Sequence, residues 1–145
     1  MPDSPHRITT DEGITALLER VRSVAVLGIK TADSQSPAYG VPEYAQRAGL
    51  RIIPVPVYYP DVTEILGERV FRSVAAIDER VDLVNVFRRG QDIPAHLDDL
   101  LAAKPRAVWF QLGIRNDLVA ERLAEVGIGV VQDRCLKVEL AKRGR

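Results

Sequence analysis

Two short stretches carry the residue types that hold an anion. Gly28-Ile29-Lys30 follows an apolar run at 24–27, and Phe87-Arg88-Arg89-Gly90 closes another at 82–87. A glycine directly after a strand lets a phosphate approach the backbone, and a lysine nearby adds a point charge. Adjacent guanidiniums present donor forks that match phosphate oxygens. Each signal has a plainer reading beside it. Gly28 serves a tight turn equally well, and Arg88 and Arg89 can form surface ion pairs with Asp92 in reach. Three further turns end apolar runs: Tyr58-Tyr59-Pro60, Gln111-Leu112-Gly113-Ile114-Arg115 and Asp133-Arg134-Cys135. Tyr58 can stack on an adenine or form an exposed rim. Gln111 is an amide at an apolar strand end, suited either to a cleft or to a neighbouring backbone group.

Other chemistries lack their residues. A dinucleotide fingerprint needs GxGxxG, but positions 30 and 33 are Lys and Asp. No acidic residue ends the run at 51–57 to hold a ribose diol. No GxxxxGK[ST] phosphate loop and no Gly-x-Ser-x-Gly elbow occurs. Of two histidines, His6 lies near the N-terminus and His96 sits beside Asp98 and Asp99, where a solvated helix face is expected. Arg134 could lower the pKa of Cys135, but a lone buried cysteine is the plainer reading. No catalytic residue and no metal-ligand set is assigned.

These turns need a frame to bring them together. Apolar runs at 24–27, 51–57, 82–87, 107–112 and 128–131 read as strands, with a weak one at 70–74 near a sheet edge. Between them lie helical patterns. Ile14, Leu17, Leu18 and Val21 repeat at helical spacing after Thr10. Val41, Tyr44, Ala45 and Ala48 mark a second helix, with Ser36-Pro37 as an N-cap and N1 pair and Pro42 as a kink or a later start. Asp92 caps a third, carrying Ile93, Leu97, Leu100 and Leu101. Asn116 caps a fourth, with Val119, Leu123 and Val126 inward, and a last one covers 136–141. Residues 63–66 read as a short helical turn closed by Gly67. Alternating strands and helices imply right-handed crossovers and a parallel sheet. The expected fold is a Rossmann-like doubly wound α/β domain: a mainly parallel sheet of five to six strands, with helices on both faces. It spans 10–145, after a flexible polar tail at 1–9. In such a sheet the ligand lies beyond the carboxyl ends of the strands, which is where the five turns fall.

Composition narrows the partners. The 145 residues are enough for one core, and twenty basic side chains balance twenty acidic ones. That balance argues against a duplex nucleic-acid binder. One cysteine excludes an internal disulfide and fits a reducing compartment. No apolar run approaches the ~20 residues of a membrane span, and the N-terminus lacks a secretory pattern. A cytoplasmic protein is expected.

The motifs then show a resemblance. Strand one with Gly28, the loop to Tyr39 and Tyr44, Arg51-Ile52-Ile53-Pro54-Val55-Pro56, the run 82–89, Trp109-Phe110-Gln111-Leu112-Gly113 and Asp133-Arg134-Cys135 resemble the small stand-alone CoA-binding domain proteins. These are similar to the N-terminal domain of the succinyl-CoA synthetase α subunit. The resemblance covers residues ~10–142. It implies a site for coenzyme A or an acyl-CoA. By position, Gly28, Ile29 and Lys30 meet the phosphates, and Ser36, Pro37 and Tyr39 close the loop over them. Tyr58, Phe87, Arg88 and Arg89 border the adenosine end, and Phe110, Gln111 and Gly113 face the pantetheine. The chain departs from the family pattern at Gly28-Ile29-Lys30, where Gly-Ala-Ser is common, and at Gly90, where a proline is common. It is too short to carry the synthetases' phosphohistidine domain. Binding without ligase chemistry is implied, serving a partner enzyme or a homo-oligomer. The alternative is a small NAD(P)- or other nucleotide-dependent enzyme on the same fold.

Overall fold

In the computed structural model, which describes residues 6–145, local signals set the helix boundaries. Helix α1 (Asp11–Arg20) begins where the Thr10 hydroxyl accepts from the Gly13 amide at 3.1 Å. Strand β1 (Ser23–Leu27) follows. Helix α2 (Pro37–Arg47) starts with the expected cap, the Ser36 hydroxyl accepting from the Ala38 amide at 3.1 Å. Strand β2 (Arg51–Val55) leads to a hairpin of β3 (Glu64–Ile65) and β4 (Glu68–Arg69). Strand β5 (Leu83–Val86) runs through a 3₁₀ turn, Gly90–His96, into α3 (Leu97–Ala103). Strand β6 (Ala107–Phe110), helix α4 (Asp117–Glu125), strand β7 (Gly129–Val131) and helix α5 (Leu136–Lys142) complete the order.

The five main strands pair in the order β2-β1-β5-β6-β7, all parallel. Side chains alternate between two apolar layers, as the pleat requires. Val24, Val26, Ile52, Leu83 and Trp109 pack under α1, α2 and α5. Ala25, Leu27, Val84, Val86 and Phe110 pack under α3 and α4. Every residue of β1 is buried, as a strand sandwiched between two helical layers demands. This is the doubly wound α/β fold read from the sequence. The chain leaves β1 towards β2, then returns to the other side of β1 at β5. The direction therefore reverses between β1 and β5, and a crevice opens at their carboxyl ends.

Several expectations are corrected. Residues 63–66 do not form a helical turn. Leu66 and Gly67 both have positive φ, 56° and 75°, which is the pair a two-residue hairpin turn needs, and β3 and β4 flank it. Residues 70–74 form no strand; the Phe71 amide makes one bond to the Pro54 carbonyl at the sheet edge, 2.9 Å. Strand β2 stops at Val55 because Pro56 has no amide to donate. Asp92 does not cap α3, since its carboxylate is taken by Arg89 and the 3₁₀ turn supplies the entry. Val126 lies past the end of α4 and is 49 % exposed. The expected tail is held at its described end: the Ile8 amide donates to the Val130 carbonyl and the Val130 amide to the His6 carbonyl, at 2.8 and 2.7 Å. Residues 1–5 of that tail lie outside the described residues. No described helix is long and apolar enough to cross a membrane.

The amino ends of β1 and β5 are fastened by Asp82. Its Oδ2 accepts from the amides of Arg22 and Ser23 at 2.8 and 3.1 Å, and the Ser23 hydroxyl accepts the Asp82 amide at 3.0 Å. Burial pushes this carboxyl up, but the two amides and the Arg106 guanidinium outweigh it and hold it below the usual carboxylate value. Its folded pKa is thus depressed. The stability it contributes is complete above the unfolded carboxylate range and is lost as pH falls through the folded value. Asp82→Ala should cost about 2–3 kcal/mol in urea unfolding at neutral pH. The gap to the parent should shrink as pH is lowered below about 4. A gap independent of pH would contradict this role.

Candidate functional site

Three turns meet at the crevice and enclose a cleft of about 450 Å³. Lys30, Ser36, Pro37 and Ala38 come from the β1–α2 connection, Phe87 through Gln91 follow β5, and Gln111 through Ile114 follow β6. Two close backbone approaches draw them together. Gly28 has φ +90°, and a Cβ there would stand 2.5 Å from the Phe87 carbonyl oxygen. A Cβ on Gly90 would overlap the Arg115 carbonyl oxygen. Both glycines are thus required by the approach of two chains, whatever their turns allow. Asn116 fixes the second approach: its side-chain amide donates to the Gly90 carbonyl at 3.0 Å while its oxygen caps α4 at the Val119 amide.

Pro42 explains how the first loop is held. A proline inside a helix leaves the carbonyl four residues earlier without its usual donor. That carbonyl is Ala38, and it accepts instead from the Lys30 amide at 3.2 Å. Helix α2 runs on through Pro42 to Arg47. What reads in the sequence as a kink is the point where the loop is tied to the helix.

The two arginines behave differently. Arg89 is exposed and its Nε donates to Asp92 at 3.0 Å, the surface ion pair that the sequence left open. Arg88 is held on two sides. Its Nε donates to His96 Nε2 at 3.2 Å, its Nη1 to the Tyr58 hydroxyl at 3.4 Å, and its guanidinium lies 5.7 Å from the Tyr58 ring centre. A guanidinium has about five N–H donors, so about three remain for a ligand. Tyr58 is itself 60 % exposed, and its hydrogen bond to Arg88 lowers its pKa. His96 is not on a solvated helix face as expected. It is half-buried at the end of the 3₁₀ turn, and burial, then the Arg88 charge, hold its pKa below the ordinary imidazole value against Asp99 and Asp92.

Gln111 is 5 % exposed, and its side-chain oxygen accepts from Asn85 Nδ2 and the Leu136 amide, both at 3.3 Å. Because a backbone amide can only donate, this fixes which end of Gln111 is oxygen. Its NH₂ is the group left for the cleft. Asn85 Oδ1, buried under it, has no hydrogen-bond partner among the described residues.

Other expected contacts fall elsewhere. Ile29 and Phe110 are 1 % and 0 % exposed and belong to opposite core layers, so neither reaches the surface of the cleft. Tyr39 packs half-buried against the layer under α2. The Gly113 amide, at φ +83°, is taken by Asp133 Oδ1 at 2.6 Å. Cys135 lines a separate groove with Arg7 and Arg134, and Leu112 borders both spaces. Among the described residues no cluster of His, Cys, Asp and Glu could hold a metal ion. Arg72 carries no signal in the sequence. It donates to the carbonyls of Tyr58, Tyr59, Pro60 and Val62 at 2.7–3.2 Å and so shapes the loop that presents Tyr58.

Comparison with known proteins places this geometry in company. The family model for the CoA binding domain matches residues 22–141. The uncharacterized protein YneT of Bacillus subtilis is 34 % identical over 125 residues, 86 % of this chain and 90 % of that protein. The structure of cell-free ID.343 from Thermus thermophilus is 38 % identical, with a TM-score of 0.83, covering 92 % of this chain and 98 % of that one. A dinucleotide-forming acetyl-coenzyme A synthetase 1 from Ca. Korarchaeum cryptofilum shares the fold at 15 % identity and a TM-score of 0.62, over 75 % of this chain and 25 % of the synthetase.

Gly90→Ala should lower unfolding stability by about 2–4 kcal/mol, because backbone must move. Gly40→Ala, in open space on α2, should instead raise it by about 0.5–1 kcal/mol in the same urea titration. Pro42→Ala supplies an amide that competes for the Ala38 carbonyl. Hydrogen exchange at the Lys30 amide should then accelerate while the melting temperature holds or rises; unchanged protection of Lys30 would contradict the tie.

Proposed function

The chain belongs to the CoA-binding domain family, and we propose that it binds coenzyme A or an acyl-CoA in the cleft between the exits of β1, β5 and β6. The observation that carries this reading is the convergence of a lysine whose ammonium has no partner among the described residues and a held guanidinium on one crevice at the switch point of the sheet, beside the positive end of the α2 dipole. The ligand's phosphates fit beside Lys30, the first turn of α2 and Arg88. The adenosine end lies towards Tyr58 and Phe87, with Arg89 at the rim. The pantetheine runs towards Gln111 and Gly113, where the Gln111 NH₂ can donate to one of its amide carbonyls. Gly28 keeps the exits of β1 and β5 in contact behind the phosphates, and Tyr39 supports the loop from beneath.

No step of covalent chemistry is assigned to the cleft. His96, its nearest imidazole, is engaged with Arg88, and Cys135 opens on a different groove. The protein would act as a module that holds an acyl-CoA for a partner enzyme or for a second copy of itself.

Isothermal calorimetry tests this reading. CoA should bind, and at ~100 times its Kd should stabilise the fold by roughly 2.7 kcal/mol, with NAD and NADPH giving no shift. Arg88→Ala should weaken CoA binding by about tenfold to a hundredfold, as the loss of a charged hydrogen bond predicts. Arg89→Ala should cost about threefold or less, because that side chain is exposed and already paired. Equal losses for the two would overturn the assignment of Arg88, and a shift with NADPH in place of CoA would overturn the reading.

A further inference from the structure

Arg88 can serve as an anion clamp only while something points it at the cleft. Phe87 ends the core and the Arg88 side chain begins at the surface, so its direction is set by its contacts. The Tyr58 contact is a long hydrogen bond donated by Arg88 to a hydroxyl that can rotate, on a side chain 60 % exposed. The His96 contact is shorter, at 3.2 Å, and comes from a half-buried ring. Arg88 Nε always carries its proton, so the imidazole nitrogen facing it must be the acceptor. That fixes His96 as the neutral tautomer with its proton on Nδ1.

We propose that His96 is the positioning residue of the anion clamp: its neutral Nε2 holds the Arg88 guanidinium over the cleft, and protonation of the ring releases it. This rests on the CoA-binding reading and adds a pH dependence to it. The groups around the ring agree. From its own turn Asp92 is bound to Arg89, and from α3 Asp99 accepts the amides of Val74 and Ala75 at 2.8 and 2.9 Å. Both carboxylates are engaged by these donors and neither bonds the ring, although their charges oppose the effect of burial and of Arg88 on the imidazole. From the β2 exit, Tyr58 faces Arg88. Protonation puts a second positive charge against the guanidinium and removes the lone pair that held it. Burial and the Arg88 charge both favour the neutral ring, so the clamp is set at neutral pH and is lost on acidification.

The experiment is a double-mutant cycle on CoA affinity, read by calorimetry and repeated from pH 8 to pH 5.5. At pH 8, His96→Leu should weaken CoA binding by about five- to tenfold, less than Arg88→Ala because the guanidinium is misdirected and not removed. In the Arg88→Ala background the same change should have no further effect, because its action runs through Arg88. His96→Gln, whose side-chain oxygen can accept from Nε, should keep near-parental affinity. The CoA phosphate titrates in this range, but it does so equally in every variant. The ratio of parental to His96→Gln affinity should therefore fall as pH drops, by up to about fivefold once the pH is below the depressed imidazole value. Melting curves establish that each variant is folded, and should the leucine variant not fold, the glutamine variant and its pH ratio carry the test. Equal losses from His96→Leu with and without Arg88 would overturn the proposal, as would a pH-independent ratio or affinity that rises with acid. Those results would leave CoA binding standing, whereas a parent that binds no CoA would overturn both.

Discussion

The structure depends on one steric constraint, the contact between the Gly28 backbone and the Phe87 carbonyl. Parallel strands β1 and β5 are neighbours, and their chains leave in opposite directions, one to each face of the sheet. At that point two backbones run so close that no side chain fits between them. The close approach keeps the crevice narrow, and Gly90 repeats the device one strand further along. A cleft built from backbone contacts of this kind is rigid without needing ordered side chains at its floor.

Charge is placed on that frame sparingly. The chain is neutral overall, and its surface arginines mostly pair with carboxylates or donate to backbone carbonyls. Arg89, Arg115 and Arg106 each face an aspartate. Arg88 instead faces an imidazole and a phenol, both uncharged at neutral pH, so its charge stays available. This difference in partner, more than the number of basic residues, separates a binding guanidinium from a surface ion pair. The same economy appears in the loop after β1, where Pro42 withholds one helical hydrogen bond and the freed carbonyl fastens the amide of Lys30.

Much of this was legible in the chain. Buried parallel strands read as unbroken apolar runs, so the five main strands, their intervening helices and the turns that line the cleft were visible from periodicity and punctuation. The caps at Ser36 and Asn116 were visible because capping is local chemistry, and the periodicity placed the start of the first helix near Thr10. What escaped was non-local. The hairpin at Leu66-Gly67 hid because a leucine occupies a positive-φ position normally given to Asn or Gly. His96 was misplaced because its neighbours Asp98 and Asp99 suggest solvent, while its partner lies across a turn at Arg88. Arg72 looks like any surface arginine until four carbonyls of a separate loop are found around it. Ile29 and Phe110 follow from position in a motif alone, but the pleat turns Phe110 into one core layer and the turn after Gly28 sends Ile29 into the other.

The central claim is spatial, and amide NMR of the labelled protein during a CoA titration tests it most directly. The account predicts that resonances of Lys30, Ala38, Arg88, Gly90 and the Gln111 side-chain amide shift together and saturate with one affinity, while those around Asp82, at the opposite end of the sheet, stay still. Shifts gathered instead in the groove beside Cys135, or at the Asp82 end, would contradict it.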